Sequence, residues 1–168
     1  MAQPLTAFQG SELYLDAVIL VGFMDTESPW HAACRRFLYH AIDPTHPIRL
    51  VTATLTIDET VFVLLEELVQ RPPYGISRSR GQYLRAHPEV VRELMLSVDH
   101  WVQNWLGVIS LEPVLPEDIT AMRQVIKASG LLPRDAIHLS VMRRLGITAI
   151  AGDDDDFDRC ADITLFKP

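Results

Sequence analysis

Short apolar runs alternate along this chain with longer segments of helical period. Leu13-Tyr14-Leu15 stops at Asp16 and predicts a short strand, with Ala17 to Met24 as the helix or turn beyond it. Ser28-Pro29 offers an N-cap followed by Pro in the first turn, predicting a helix through Ala41 that Asp43-Pro44 ends. Ile48 to Ala53 reads as a second strand, and Thr54 or Thr56 opens a helix through Val69. Arg71-Pro72-Pro73-Tyr74-Gly75 cannot be helical and marks a loop. Arg80 to Gln103 follows as a long amphipathic segment broken near Pro88.

Val108 to Leu111 predicts a third strand. Pro116 starts a helix that ends at Ser129-Gly130, and Pro133 starts another through Leu145, stopped by Gly146. Ile147 to Gly152, six apolar or small residues, then runs straight into Asp153 to Asp156. A continuously apolar, β-branched run closed by Gly predicts a strand buried on both faces, hence a parallel sheet. Ile163 to Phe166 predicts a last edge strand, and residues 1–11 a loose tail. The alternation of strands and helices predicts one domain, a three-layer α/β/α sandwich on a mostly parallel sheet, across residues 1–168. Residues 71–103 form an extended loop and helical insertion in it.

Composition narrows the function. The 168 residues are 48% hydrophobic and 22% charged, a globular balance. No apolar stretch approaches the ~20 residues of a membrane span, and residues 1–11 lack the basic and apolar regions of a signal peptide. Two cysteines, Cys34 and Cys160, without a CxxC, predict free thiols in a reducing cytoplasm. Six histidines without zinc-like spacing give no zinc site. A net charge of −7 argues against binding nucleic acid by bulk charge, but not against an enzyme whose acidic pocket a metal neutralises.

Topology gathers that pocket. In a parallel sheet, strand C-termini and helix N-termini share one rim, where ligands bind. Asp16 ends the first strand, Asp153 to Asp156 follow the fourth, Asp135 sits in the first turn of its helix, and Glu59 in the early turns of another. Each carboxylate alone has an ordinary explanation, as a cap, a helix-dipole partner or a solvated residue. Together they predict a shared anionic site, which is unstable unless protonated or holding hard cations.

The segments LYLDAVILV around Asp16, TATLTIDETVFVLLEEL around Glu59, LLPRDAIHLSVMRRLGI around Asp135, and AIAGDDDDFDR resemble the PIN-domain ribonucleases, most of all the VapC-type toxins of toxin–antitoxin pairs. The resemblance spans most of the chain. It implies an endoribonuclease dependent on Mg2+ or Mn2+, a homodimer, and a protein antitoxin as partner. It places Asp16, Glu59, Asp135 and Asp154 as catalytic metal ligands, with Asp156 as a further ligand. Counting back from Phe157 puts the family's two acids at Asp154 and Asp156. An extended chain past the strand would turn the same two to one side and Asp153 and Asp155 to the other. Val18 stands where the family usually carries Asn or Ser, and Gly152 where it usually carries Ser or Thr.

Arg134, Arg143 and Arg80 are candidates to hold RNA phosphates, as are Arg71, Arg78, Arg85 and Arg144; solvated helix faces are the alternative for each. Tyr74 and Trp101 are either base-stacking or core aromatics. His138, one turn after Asp135, reads as a satisfied, partly buried histidine or as a partner to the metal ligands. A haloacid-dehalogenase-like phosphatase is the rival enzyme: Gly152-Asp153 with Asp158 resembles its acidic loop and Lys127 lies upstream, but Val18 replaces its second aspartate. A PIN-like interaction module that has lost turnover is the non-enzymatic rival.

Overall fold

Each apolar run becomes a strand of one six-stranded sheet. The computed structural model describes residues 2–168, without the side chain of Leu106; Met1 of the expected tail lies outside them. The strands are β1 (Gln3–Pro4), β2 (Glu12–Leu15), β3 (Arg49–Ala53), β4 (Ser110–Glu112), β5 (Ala149–Ala151) and β6 (Thr164–Lys167). They lie in the order β1-β6-β5-β2-β3-β4, and every pair is parallel. Helices α1 (Ala17–Met24), α2 (His31–Ala41), α3 (Thr54–Gln70), α4 (Arg80–Ala86) and α5 (Pro88–Leu106) precede β4 in the chain, and α6 (Pro116–Ser129) and α7 (Pro133–Leu145) follow it.

The period-two pattern of the strands decides which helix layer each residue meets. Leu13, Leu15 and Leu50 enter one apolar cluster with Ile19 and Leu20 of α1, Leu38 of α2 and Leu64 of α3. Tyr14, Val51 and Ala53 point the other way and meet Val125 of α6 with Leu139 and Met142 of α7. Short β5 serves both layers, Ile150 on the second cluster and Ala151 on the first. The result is the three-layer sandwich expected from the sequence.

Several expectations shift in detail. Residues 1–11 are not a loose tail: β1 pairs with β6, and Leu5 is buried in the first cluster. The edge is therefore β1, and β6 is an inner strand. The helix expected at Ser28 begins at His31, because the Ser28 hydroxyl accepts from the Trp30 N–H, 3.2 Å, and closes a local turn first. The segment from Arg80 breaks at His87, one residue before Pro88, as a following proline disfavours helical backbone. Tyr74 and Trp101, both partly buried, pack against the border of the first cluster.

Gly130 and Gly146, with φ of 71° and 74°, close α6 and α7 in the left-handed conformation that glycine adopts without strain. Asp118 secures the second layer. Its buried carboxylate accepts from the Leu115 N–H at 2.8 Å and from Arg144 Nε at 3.0 Å, tying the start of α6 to the end of α7. Asp118→Ala would leave a guanidinium and a backbone donor without their partner. Arg144 retains some solvent, so the expected loss is about 2–4 kcal/mol rather than the full cost of breaking a buried pair. Urea unfolding measures it, and a loss below ~1 kcal/mol would show that water replaces the carboxylate.

Candidate metal centre

The strand order reverses at β2. The chain leaves β2 toward β3 and β4, then crosses back to β5 on the other side. The connections on the two sides of β2 therefore run in opposite directions, and the crevice beyond the strand ends at such a point is the usual ligand position in such sheets. Asp16 lies at this point. Its N–H donates to the Ala151 carbonyl at 2.9 Å, and as the residue before α1 its carboxylate makes no capping bond, so it is free to face the crevice.

Three further segments reach the same rim. β3 passes into α3 without an intervening residue, which places Glu59 in the second turn. α7 starts at the rim with Pro133, bringing Asp135 in its first turn and His138 one turn on. Beyond β5, Asp154 precedes a 3-10 turn over Asp155–Arg159 and accepts from the Asp156 N–H at 2.8 Å.

These groups act on each other. Burial pushes the Asp16 carboxyl up to about 6, against the pull of His138 and with added repulsion from Glu59 and Asp135. Burial also raises Asp135, helped by the charge of Asp154 and, more weakly, of Glu59 and Asp156. Glu59 is held below the usual carboxylate range by His138 and by Arg134, whose guanidinium lies 3.2 Å away. Asp16, Glu59 and His138 each present a ligand atom, all within 4.8 Å of one another, in the one such group among the described residues. Asp135 and Asp154 border this group without joining it.

The four consecutive aspartates divide into two pairs, although the chain is not extended there but enters the 3-10 turn at Asp155. Asp153 and Asp155 both pair with Lys167 of β6, at 3.3 and 2.8 Å. Asp154 and Asp156 are the two whose charges act on Asp135; Asp156 also pairs with Arg159 at 2.7 Å. The arginines divide as well. Arg134 stands at the site beside Glu59 and Asp58. Arg143 does not reach it, being paired with Asp162 at 2.7 Å near the far end of α7. Arg80 does not either, being paired with Glu67 at 3.1 Å near the C-terminal end of α3. Local ion pairing and position along the helix, neither written in residue type, separate the three.

The two departures from the family pattern have structural counterparts. Val18 packs against the first core cluster. Gly152 lies so close to Asp16 that a Cβ there would sit 3.2 Å from the Asp16 Cβ, closer than ordinary contact allows. A side chain at this position would have to displace Asp16 by a few tenths of an ångström.

His138 combines both roles that its sequence position allows. The ring is buried, and Nδ1 is satisfied by the Tyr14 hydroxyl at 2.8 Å. Nε2 has no hydrogen-bond partner. The signal lay in Tyr14 preceding Asp16 and His138 following Asp135 by one turn, but it gains meaning only when the two elements meet.

Known proteins share this fold. The crystal structure of Mycobacterium tuberculosis VapC20, described as a sarcin-ricin loop cleaving toxin, superposes with a TM-score of 0.55 at 16% identity, covering 89% of this chain and 95% of that one. VapBC2 from Rickettsia felis, bound to a DNA fragment from their promoter, gives 0.56 at 11% identity over 93% and 98%. PAE2754 from Pyrobaculum aerophilum gives 0.52 at 17% over 93% and 92%. Among curated proteins, Ribonuclease VapC2 of Methanocaldococcus jannaschii is 27% identical over 105 residues, 62% of this chain and 63% of that protein. The alignment thus spans under two thirds of that relative's length. The PIN domain family model matches residues 13–163, from the first residue of β2's apolar run to the threshold of β6. That span takes in Asp16, Glu59, Asp135 and all four consecutive aspartates, and with it the phosphatase reading gives way: the chain belongs to the PIN domain family.

Proposed function

We propose that this protein is a divalent-metal-dependent endoribonuclease of the VapC toxin type. The observation that carries the proposal is the meeting of Asp16, Glu59 and His138 within 4.8 Å of one another, with Asp135 acting on Asp16 and Asp154 acting on Asp135 at its border. The donor set is rich in carboxylate oxygen, which suits Mg2+ or Mn2+. Asp16, Glu59, Asp135 and Asp154 would hold one or two ions, with Asp156 as an auxiliary ligand. A bound divalent cation supplies charge neutralisation on the scissile phosphate and acidifies the attacking water. Arg134, half-exposed beside Glu59, orients that carboxylate and offers a cation to an RNA phosphate at the rim. Arg143 and Arg80, committed to Asp162 and Glu67, serve the fold in this reading.

The partners follow from the same reading: an RNA substrate, a protein antitoxin and a second copy of this chain. The VapBC2 complex and the ribonuclease name of the Methanocaldococcus relative support it. Buried free thiols at Cys34 and Cys160 suit a reducing cytoplasm, and among the described residues no helix is long and apolar enough to cross a membrane. Purified protein is expected to cleave single-stranded RNA with Mg2+ or Mn2+ and to stop on adding EDTA. Cleavage that proceeds equally well after chelation would sink the metal mechanism.

The aspartates offer a finer test. Asp154→Asn is expected to weaken divalent-ion binding and cleavage by at least ~10-fold, and Asp156→Asn by less because Arg159 already engages it. Asp153→Asn and Asp155→Asn are expected to change both less than ~3-fold, since each faces Lys167. Calorimetric titration of the four single variants reads the order. Loss of the ion in Asp153→Asn would place the ligand on the wrong side of the turn.

A further inference from the structure

Every polar atom of the buried His138–Tyr14 pair faces a purpose except one. His138 is 2% exposed and Tyr14 fully buried, so neither ring reaches bulk water. Tyr14 and His138 meet at 2.8 Å through the hydroxyl and Nδ1, which fixes the imidazole plane. Nε2, at the opposite corner of the ring, is then aimed at Asp16 and Glu59 and has no hydrogen-bond partner. An unsatisfied buried nitrogen costs roughly 1–3 kcal/mol, and native structures rarely leave one without a use.

Distance says which use. Nε2 lies 3.9 Å from Glu59 Oε2, well beyond the ~3.2 Å limit of an N–H to oxygen hydrogen bond. Two donors ~2.1 Å from one cation lie ~3.0 Å apart when adjacent and at most ~4.2 Å apart when opposite. The gap is thus too wide for a direct bond and narrow enough for one ion to reach both atoms.

We propose that His138 Nε2 is itself a ligand, giving the cation at Asp16 and Glu59 a mixed nitrogen–oxygen shell that selects Mn2+ over Mg2+. In this arrangement Nδ1 carries the ring proton and donates to the Tyr14 oxygen, the usual way a ligating histidine is oriented through its other nitrogen. Imidazole is a donor that suits transition metals, whereas Mg2+ keeps to oxygen and water. The inference rests on the metal-dependent reading above and adds a specific donor and a specific metal preference to it.

Pulsed EPR on the Mn2+-loaded full chain tests this without any activity assay. The wild-type protein is expected to show hyperfine coupling to a histidine nitrogen that changes on 15N-histidine labelling. His138→Gln is expected to lose that coupling and to bind Mn2+ about 10–100-fold more weakly, with Mg2+ affinity changed less than ~3-fold. Mn2+ bound to the wild type without nitrogen coupling overturns the ligand role and leaves the nuclease reading standing; a water bridging Nε2 to the carboxylates would give that result. Coupling that survives His138→Gln overturns it as well. Absence of any Mn2+ binding removes both proposals. The wild-type spectrum decides the question even if His138→Gln fails to fold.

Discussion

Asp16→Asn is expected to abolish RNA cleavage and, with metal chelated away, to make the protein more stable than wild type at pH 7. The two effects share one cause. Asp16 is partly buried beside Glu59 and Asp135, so its ionised form is disfavoured in the folded state, and its pKa rises from 3.8 to about 6. Between those values the folded chain binds more protons than the unfolded one, and stability falls as pH rises. Above about pH 6 the whole penalty is present. A difference of about two pH units corresponds to ~3 kcal/mol.

Asparagine keeps the shape of Asp16 without the charge. In chelator, the variant should therefore melt several degrees above wild type at pH 7, with the gap closing by about pH 4. Divalent ion should reverse the order, because it stabilises the wild-type protein by binding the folded form and has lost a ligand in the variant. Thermal melts at both pH values, with and without Mn2+, read all of this. A variant less stable than chelated wild type at pH 7 would show that charge crowding does not govern the site. Cleavage retained within ~10-fold would remove Asp16 from the catalytic set, since even groups that only support metal ligands cost 10–100-fold when lost.

Glu59→Gln and the adjacent Asp58→Asn are expected to separate by at least ~100-fold in cleavage rate. Consecutive helical residues point about 100° apart, so one of the two can face the crevice while the other faces solvent. The sequence alone does not choose cleanly: Glu59 shares its face with Phe62, Val63 and Glu66, Asp58 with Val61, Phe62 and Leu65. The structure separates them. The Asp58 side chain is 76% exposed and stands 3.7 Å from Arg134, whereas Glu59 is 27% exposed and lies between Arg134 and His138. Exposed ion pairs of the Asp58 kind contribute little, so Asp58→Asn should be nearly silent in both stability and rate. Glu59→Gln should remove metal affinity and turnover together, read by calorimetry and by RNA cleavage. The reverse pattern would mean that α3 is turned by one residue relative to this geometry.

Much of the fold is legible in the sequence because its signals are local. Apolar runs of three to six residues, Pro at helix starts and Gly at helix ends act within a few residues of themselves, and α6 and α7 open and close where Pro116, Pro133, Gly130 and Gly146 stand. The rim was legible too, because a sheet in which all strands run parallel must collect its strand C-termini at one edge. Edges and boundaries were less so. Residues 3–4 carry no strand pattern of their own, and β1 exists because β6 offers it an unpaired ladder.

What only the tertiary structure decided is which side chains at that edge find partners. Arg134, Arg143 and Arg80 are the same residue type in similar helical settings, yet Asp162 and Glu67 claim two of them and leave the third at Glu59. The four aspartates are chemically identical, and it is Lys167, arriving from another strand, that draws Asp153 and Asp155 away from Asp135. His138 could be read from the sequence only as buried or supporting; that Tyr14, 124 residues earlier, takes Nδ1 while Nε2 stays open is decided by packing. Backbone propensity and hydrophobic period are short-range and survive in a linear pattern, whereas pairing of charges and hydrogen bonds depends on distances set once the layers have packed.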